Sequence, residues 1–146
     1  MPRHIESQIQ RSCKRWFDYQ YSQLAPLLFA VPNGGQRNAR EAAIMKAEGV
    51  TAGVADMILL IPRYGYSSLC IEFKTKTGRQ TRTQKDWQKA AELNGAKYII
   101  VRCFEEFVQS IKWYLGLFIL FFAQLVRLIG ALFLYLQRKN VTNVTL

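Results

Sequence analysis

A single acid interrupts the apolar run Val54-Ala55-Asp56-Met57-Ile58-Leu59-Leu60-Ile61, and the next apolar run, Leu69-Cys70-Ile71-Glu72-Phe73-Lys74, closes on a Glu-x-Lys. The segment Pro62-Arg63-Tyr64-Gly65-Tyr66 between them is rich in turn formers, so the pattern predicts two neighbouring strands, over 54–62 and 68–76. Side chains alternate along a strand, which puts Glu72, Lys74 and Lys76 on one face and Ile71 and Phe73 on the other. Pairing the two strands brings Asp56 beside Glu72. Two carboxylates so placed repel each other unless a cation lies between them, and Mg2+ suits oxygen ligands. At a rise of about 3.3 Å per residue, Lys74 lies about 7 Å along the strand from Glu72. That is within reach of a phosphate or a water on the same cation. The pattern points to phosphodiester chemistry.

A blander reading stands beside it. Glu-x-Lys is common on the solvated face of an antiparallel strand, where paired charges keep an edge soluble. Asp56 resists that reading more, because nothing else between Val54 and Ile61 is polar. An acid in such a run is rarely buried without a partner or a metal. A bond to a backbone amide at a strand end would also satisfy it.

The rest of the chain supplies helices for both sides of a small sheet. Residues 4–20 read as a helix with Ile5, Ile9, Cys13 and Trp16 or Phe17 on one stripe and Arg11, Lys14 and Arg15 opposite. A short strand over 27–31 ends at the turn signal Pro32-Asn33-Gly34-Gly35. Residues 40–48 look helical, with Gly49 as the stop. Thr83 is the expected cap of a helix reaching Asn94, which Gly95 ends. Residues 97–102 form a last core strand, and a further helix begins at Glu105. No internal repeat or low-complexity segment is visible.

The stretch from about Val31 to Val108 resembles the VRR-NUC domain, a branch of the PD-(D/E)xK nuclease superfamily. The resemblance rests on Val31-Pro32-Asn33-Gly34-Gly35, Arg37-Asn38, Gly49-Val50-Thr51-Ala52-Gly53-Val54-Ala55-Asp56, Ile71-Glu72-Phe73-Lys74 and Thr83-Gln84-Lys85-Asp86-Trp87. Ala55 replaces the Pro of the superfamily's "PD", a position that is not a ligand. The resemblance implies an α/β fold with a restriction-endonuclease-like αβββαβ core, a small mixed sheet flanked by helices. It implies that Asp56, Glu72 and the Phe73 carbonyl hold Mg2+ or Mn2+, with Lys74 orienting the attacking water or neutralising the transition state. Glu6 fits the acidic position of the family's first helix, reaching the metal through water or staying structural. Gln84 opens the helix after the catalytic strand, contacting water or phosphate or serving as an N-terminal cap. Standalone domains of this size resemble Holliday-junction resolvases, which work as homodimers because a junction needs two cuts.

Charge agrees with a polyanionic partner. The 146 residues carry a net charge of +10, and the segment 1–110 is basic by itself. Lys76, Arg79, Arg82, Lys85 and Lys89 make a basic band over a turn and a helix, placed to grip DNA phosphates or simply to stay solvated. Cys13, Cys70 and Cys103 lack paired spacing, so neither a disulfide framework nor a zinc site is expected, and a reducing, cytoplasmic setting follows. His4 is the one histidine, which argues against histidine-based nucleases and serine triads.

The expected division is a nuclease domain over 1–110, a hydrophobic helix over 111–137 and a short polar tail over 138–146. Within the second part, Leu115–Leu136 is long enough for a membrane span of about 20 residues, though Gln124 and Arg127 interrupt it. The alternatives, in order, are a buried dimerisation helix and a fusion or frameshifted tail outside the fold. The sequons at Asn140 and Asn143 are taken as chance, and no signal peptide is expected, because the first helix is too charged. Two other functions remain open: a DNA- or junction-binding module without catalysis, and a membrane-anchored factor whose basic domain meets lipid or DNA.

Overall fold

In the computed structural model, residues 2–32, 39–116, 124 and 126–134 are described. The chain divides into two compact units, residues 1–110 and 111–146. The first begins with helix α1, Pro2–Gln20, a 3-10 turn over Ser22–Leu27 and strand β1, Leu28–Ala30. Helix α2 covers Ala39–Ala47, followed by strands β2, Met57–Leu59, and β3, Ser68–Phe73. Helix α3, Arg82–Leu93, crosses over to strand β4, Ala96–Val101. Helix α4, Phe104–Tyr114, runs through the division between the units.

The four strands lie in the order β1-β2-β3-β4. The β1–β2 and β2–β3 pairs are antiparallel, and β3–β4 is parallel. An antiparallel pair needs only a tight turn, and Tyr64 and Gly65, with φ of 53° and 82°, supply the two positive-φ residues of a primed hairpin turn. A parallel pair needs a crossover, which α3 provides. The expected α-β-β-β-α-β order is present, with α2 between β1 and β2.

The β3 pleat sorts the core. Leu69, Ile71 and Phe73 are fully or nearly fully buried on one face, where Phe73 stacks on Phe107, centroids 6.2 Å apart. Phe107 in turn meets Trp16 of α1 edge-on at 6.0 Å. Cys70 lies on the opposite face with Ala55, Ala96 and Tyr98, against Ile58, Trp87 and Ala91. Glu72 belongs to this second face, beneath α3.

Several boundaries differ from expectation. β2 covers only Met57–Leu59 of the expected 54–62, with Gly53, at φ +86°, in the turn that leads toward it. Asp56 therefore sits immediately before the strand, although its carbonyl still accepts from Val31 N at 2.9 Å. β3 stops at Phe73, and Lys74 N makes one more bond, to Val101 O at 3.0 Å, before the chain turns. The cap of α3 is Thr81 and not Thr83: Thr81 Oγ1 accepts from Gln84 N at 3.2 Å. Gln84 Oε1 accepts from Thr81 N at 2.9 Å. That reciprocal pair is a capping box, which requires Gln or Glu three residues after the cap. Thr81 has it in Gln84; Thr83 does not.

The Asn33–Gly35 turn, Arg37, Asn38, the 138–146 tail with its sequons, and residues 117–123, 125, 135 and 136 of the hydrophobic segment lie outside the described residues. Among the described residues no helix is long and apolar enough to cross a membrane. Residues 126–134 are helical, with Val126, Leu128, Ile129, Leu132, Phe133 and Leu134 exposed.

Candidate active site

The β2–β3 register pairs Met57 with Ile71, so the next step along both chains sets Asp56 opposite Glu72. Asp56 Oδ2 accepts from Phe73 N at 2.7 Å. Its carboxylate is thus held at the peptide that follows Glu72. Glu72 is fully buried, and three side chains converge on it. Lys74 Nζ lies 2.5 Å from Glu72 Oε1, because the long lysine folds back over the two-residue step. Gln84 Nε2 donates to the same oxygen, and Tyr98 OH donates to Oε2 at 3.1 Å. Gln84 is a cap, with its oxygen fixed by the Thr81 amide, and the same side chain carries its nitrogen to Glu72.

Burial governs the electrostatics. It raises the carboxyl of Asp56 above the ordinary range, against the Phe73 N–H bond and the Lys74 charge, which lower it; the Glu6 charge raises it further. Burial likewise raises Glu72, opposed first by the bond from Lys74, while the nearby Asp56 charge adds to the rise. The ionised pair is therefore held at a free-energy cost, with one lysine countering it. Burial and the Glu72 charge also push the Tyr98 phenol up, so Tyr98 stays a neutral donor.

Glu6 takes a different place. Glu6 Oε1 accepts from Thr75 N at 2.9 Å, one residue beyond Lys74. Lys76, Arg79, Arg82, Lys85 and Lys89 are all exposed. Lys85 and Lys89 line one shallow groove along α3 with Gln88, Glu92 and Leu93. Arg82 is paired with Asp86 at 3.3 Å. Tyr98 and Arg102 escape the sequence reading. A hydroxyl in the apolar run Tyr98-Ile99-Ile100-Val101 needs a buried partner, but only the β3–β4 register, pairing Cys70 with Tyr98, identifies it as Glu72.

The oxygens of Asp56 and Glu72 with the Phe73 carbonyl would offer a divalent cation hard donors. A carboxylate offers about four lone-pair positions, of which Glu72 uses three on protein donors. The buried Glu72 and the half-buried Asp56, whose ionised forms disfavour each other, would be relieved by a positive charge between them. The residues fit such an ion. Among the described residues no three His, Cys, Asp or Glu side chains gather to hold a metal, so Glu6 does not complete a three-acid set.

No family model matches the sequence, and no curated protein matches it. Among solved structures, a "VRR_NUC domain protein" superposes with a TM-score of 0.66 at 25% identity, covering 77% of this chain and 88% of that one. The four-stranded mixed sheet and the helices that flank it agree with that fold. The chain has a VRR-NUC domain fold, that of a nuclease-type domain.

Proposed function

We propose that the protein is a Mg2+- or Mn2+-dependent DNA endonuclease that hydrolyses phosphodiester bonds, acting on branched DNA such as four-way junctions as a homodimer. The observation that carries this reading is the convergence of Asp56, Glu72 and Lys74 at one end of the sheet, with Lys74 Nζ 2.5 Å from Glu72 Oε1. Asp56, Glu72 and the Phe73 carbonyl would hold the cation, which would supply Lewis acidity toward the scissile phosphate and lower the pKa of a nearby water.

The chain's own residues do the rest. Gln84 and Tyr98 fix both oxygens of Glu72, so the carboxylate needs no reorganisation when substrate arrives. Lys74 places a positive charge beside that carboxylate, where it orients a water or offsets charge developing on the phosphate. Lys76, Arg79, Arg82, Lys85 and Lys89 hold the DNA backbone without reading bases, so selectivity comes from DNA shape. Two copies are needed for paired cuts across a junction.

The test is cleavage of labelled four-way junction, flap, nicked and linear DNA by the full chain, with Mg2+, with Mn2+ and with EDTA. Paired symmetric junction cuts that vanish in EDTA are expected. Binding without cleavage under either metal assigns the chain instead to the non-catalytic junction-binding modules.

A further inference from the structure

The turn after Lys74 is gripped from two sides by charged residues from distant parts of the chain. Glu6 Oε1 takes the Thr75 N–H at 2.9 Å, across 69 residues of sequence. From the other side, Arg102 Nη1 donates to Thr75 O, to Gly78 O at 2.9 Å and to Lys76 O at 3.3 Å. Gly78 N closes the turn on Thr75 O at 3.1 Å. The fit leaves little room: a Cβ on Gly78 would lie 2.8 Å from Thr75 Oγ1 and 3.4 Å from Glu6 Oε1. Arg102 is itself fixed, since its own N–H donates to Glu106 Oε2 at 2.7 Å in the first turn of α4.

The Thr75 N–H and the Lys74 carbonyl belong to one planar peptide. Holding that N–H therefore sets the backbone from which Lys74 reaches Glu72. The same turn carries Lys76 and leads to Arg79, the first two members of the basic band.

We propose that Glu6 and Arg102 are positioning residues that lock the 75–78 turn, and that Glu6 acts through the Thr75 amide and not on the reacting phosphate or a metal. The kinetic part of this proposal rests on the nuclease reading; the structural part does not.

Hydrogen exchange of the full-length, metal-free chain in EDTA tests the lock directly. Glu6→Ala and Arg102→Ala are each expected to speed exchange of the Thr75 and Gly78 amides by about tenfold, the value of one charge-assisted bond. Glu6→Gln keeps an oxygen for the Thr75 N–H and is expected to restore most of that protection. In the cleavage assay, the two alanine variants should lose about ten- to a hundredfold in kcat with KM changed less than about threefold, as for a displaced catalytic group. Glu6→Gln should recover most of the lost rate, and added guanidinium should partly rescue Arg102→Ala. Glu6→Gln as inactive as Glu6→Ala, with its exchange protection intact, would place Glu6 at the reacting centre and overturn the proposal. Unchanged exchange at residues 75–78 in both alanine variants would overturn it too. A wild-type chain that cleaves nothing refutes the nuclease reading alone, because the exchange result still decides the lock.

Discussion

Gly53 couples the two halves of the site, and replacing it should show how tightly. A Cβ on Gly53 would lie 2.4 Å from Thr83 O, 2.5 Å from Thr83 C and 2.9 Å from Gln84 N. These are backbone atoms in the first turn of α3, so no side chain can swing aside. Gly53 also has φ +86°, where an L residue loses about 1 kcal/mol or more. Gly65 provides the control: its φ is +82°, but nothing lies within 4 Å of its would-be Cβ. Gly65→Ala should therefore cost about 1 kcal/mol, the conformational part alone. Gly53→Ala should add about 2 kcal/mol of overpacking. At about 4 °C per kcal/mol for a chain of this size, Gly53→Ala should melt about 8 °C below Gly65→Ala. Circular-dichroism melts of both full-length variants in EDTA read the difference. Relief of the clash moves the start of α3, and with it Gln84, away from Glu72, so cleavage should fall in Gly53→Ala but not in Gly65→Ala. Coincident melts of the two variants would refute the claimed contact between the Gly53 loop and α3.

Further consequences follow from the same geometry. Asp56→Asn keeps an oxygen for the Phe73 N–H while removing a charge that burial disfavours, so it should stabilise the metal-free chain by about 1 kcal/mol at pH 7. Because the folded state holds the Asp56 proton more tightly than the unfolded state, wild-type stability falls as pH rises through the ordinary carboxylate range and above it. The advantage of Asp56→Asn should accordingly shrink toward about pH 4 in a pH series of melts; a variant less stable than wild type at pH 7 contradicts this. Tyr98→Phe removes one donor from a buried carboxylate and should lower unfolding stability by about 2 kcal/mol, read as a shifted urea midpoint at constant slope. DNA affinity should fall steeply with salt, and Lys89→Ala should reduce the slope of log affinity against log salt by about 1.

The part of the site that follows from local pattern was legible in the sequence. Asp56 and Glu72 come together because two apolar runs flank a short turn, and hairpin pairing of such runs sets their register. Gln84 was legible as either cap or site residue, since Thr81-Arg82-Thr83-Gln84 is a capping-box pattern and also follows the Glu-x-Lys strand. The cap itself was misplaced by two residues, because two threonines compete and the one with Gln at the third following position wins. What was not legible depends on long-range placement. Tyr98 reaches Glu72 only through the parallel β3–β4 register, which a helical crossover sets and no local pattern encodes. Arg102 looks like one more surface cation until the fold sets three carbonyls of the 75–78 turn in front of it. Glu6 reads as a helix acid, and only tertiary packing shows that it holds the amide next to Lys74.

The most direct measurement compares wild type and Asp56→Asn, both full length, on a labelled four-way junction with Mg2+ and with EDTA. Asp56→Asn is the informative partner because it is expected to be at least as stable as wild type, which separates lost chemistry from lost folding. Mg2+-dependent cleavage by wild type, none in EDTA, and a loss of cleavage in Asp56→Asn with its melting temperature undiminished are expected. Equal cleavage by the two proteins, or cleavage by wild type that persists in EDTA, would contradict the assignment of Asp56 and Glu72 to a metal-dependent nuclease site.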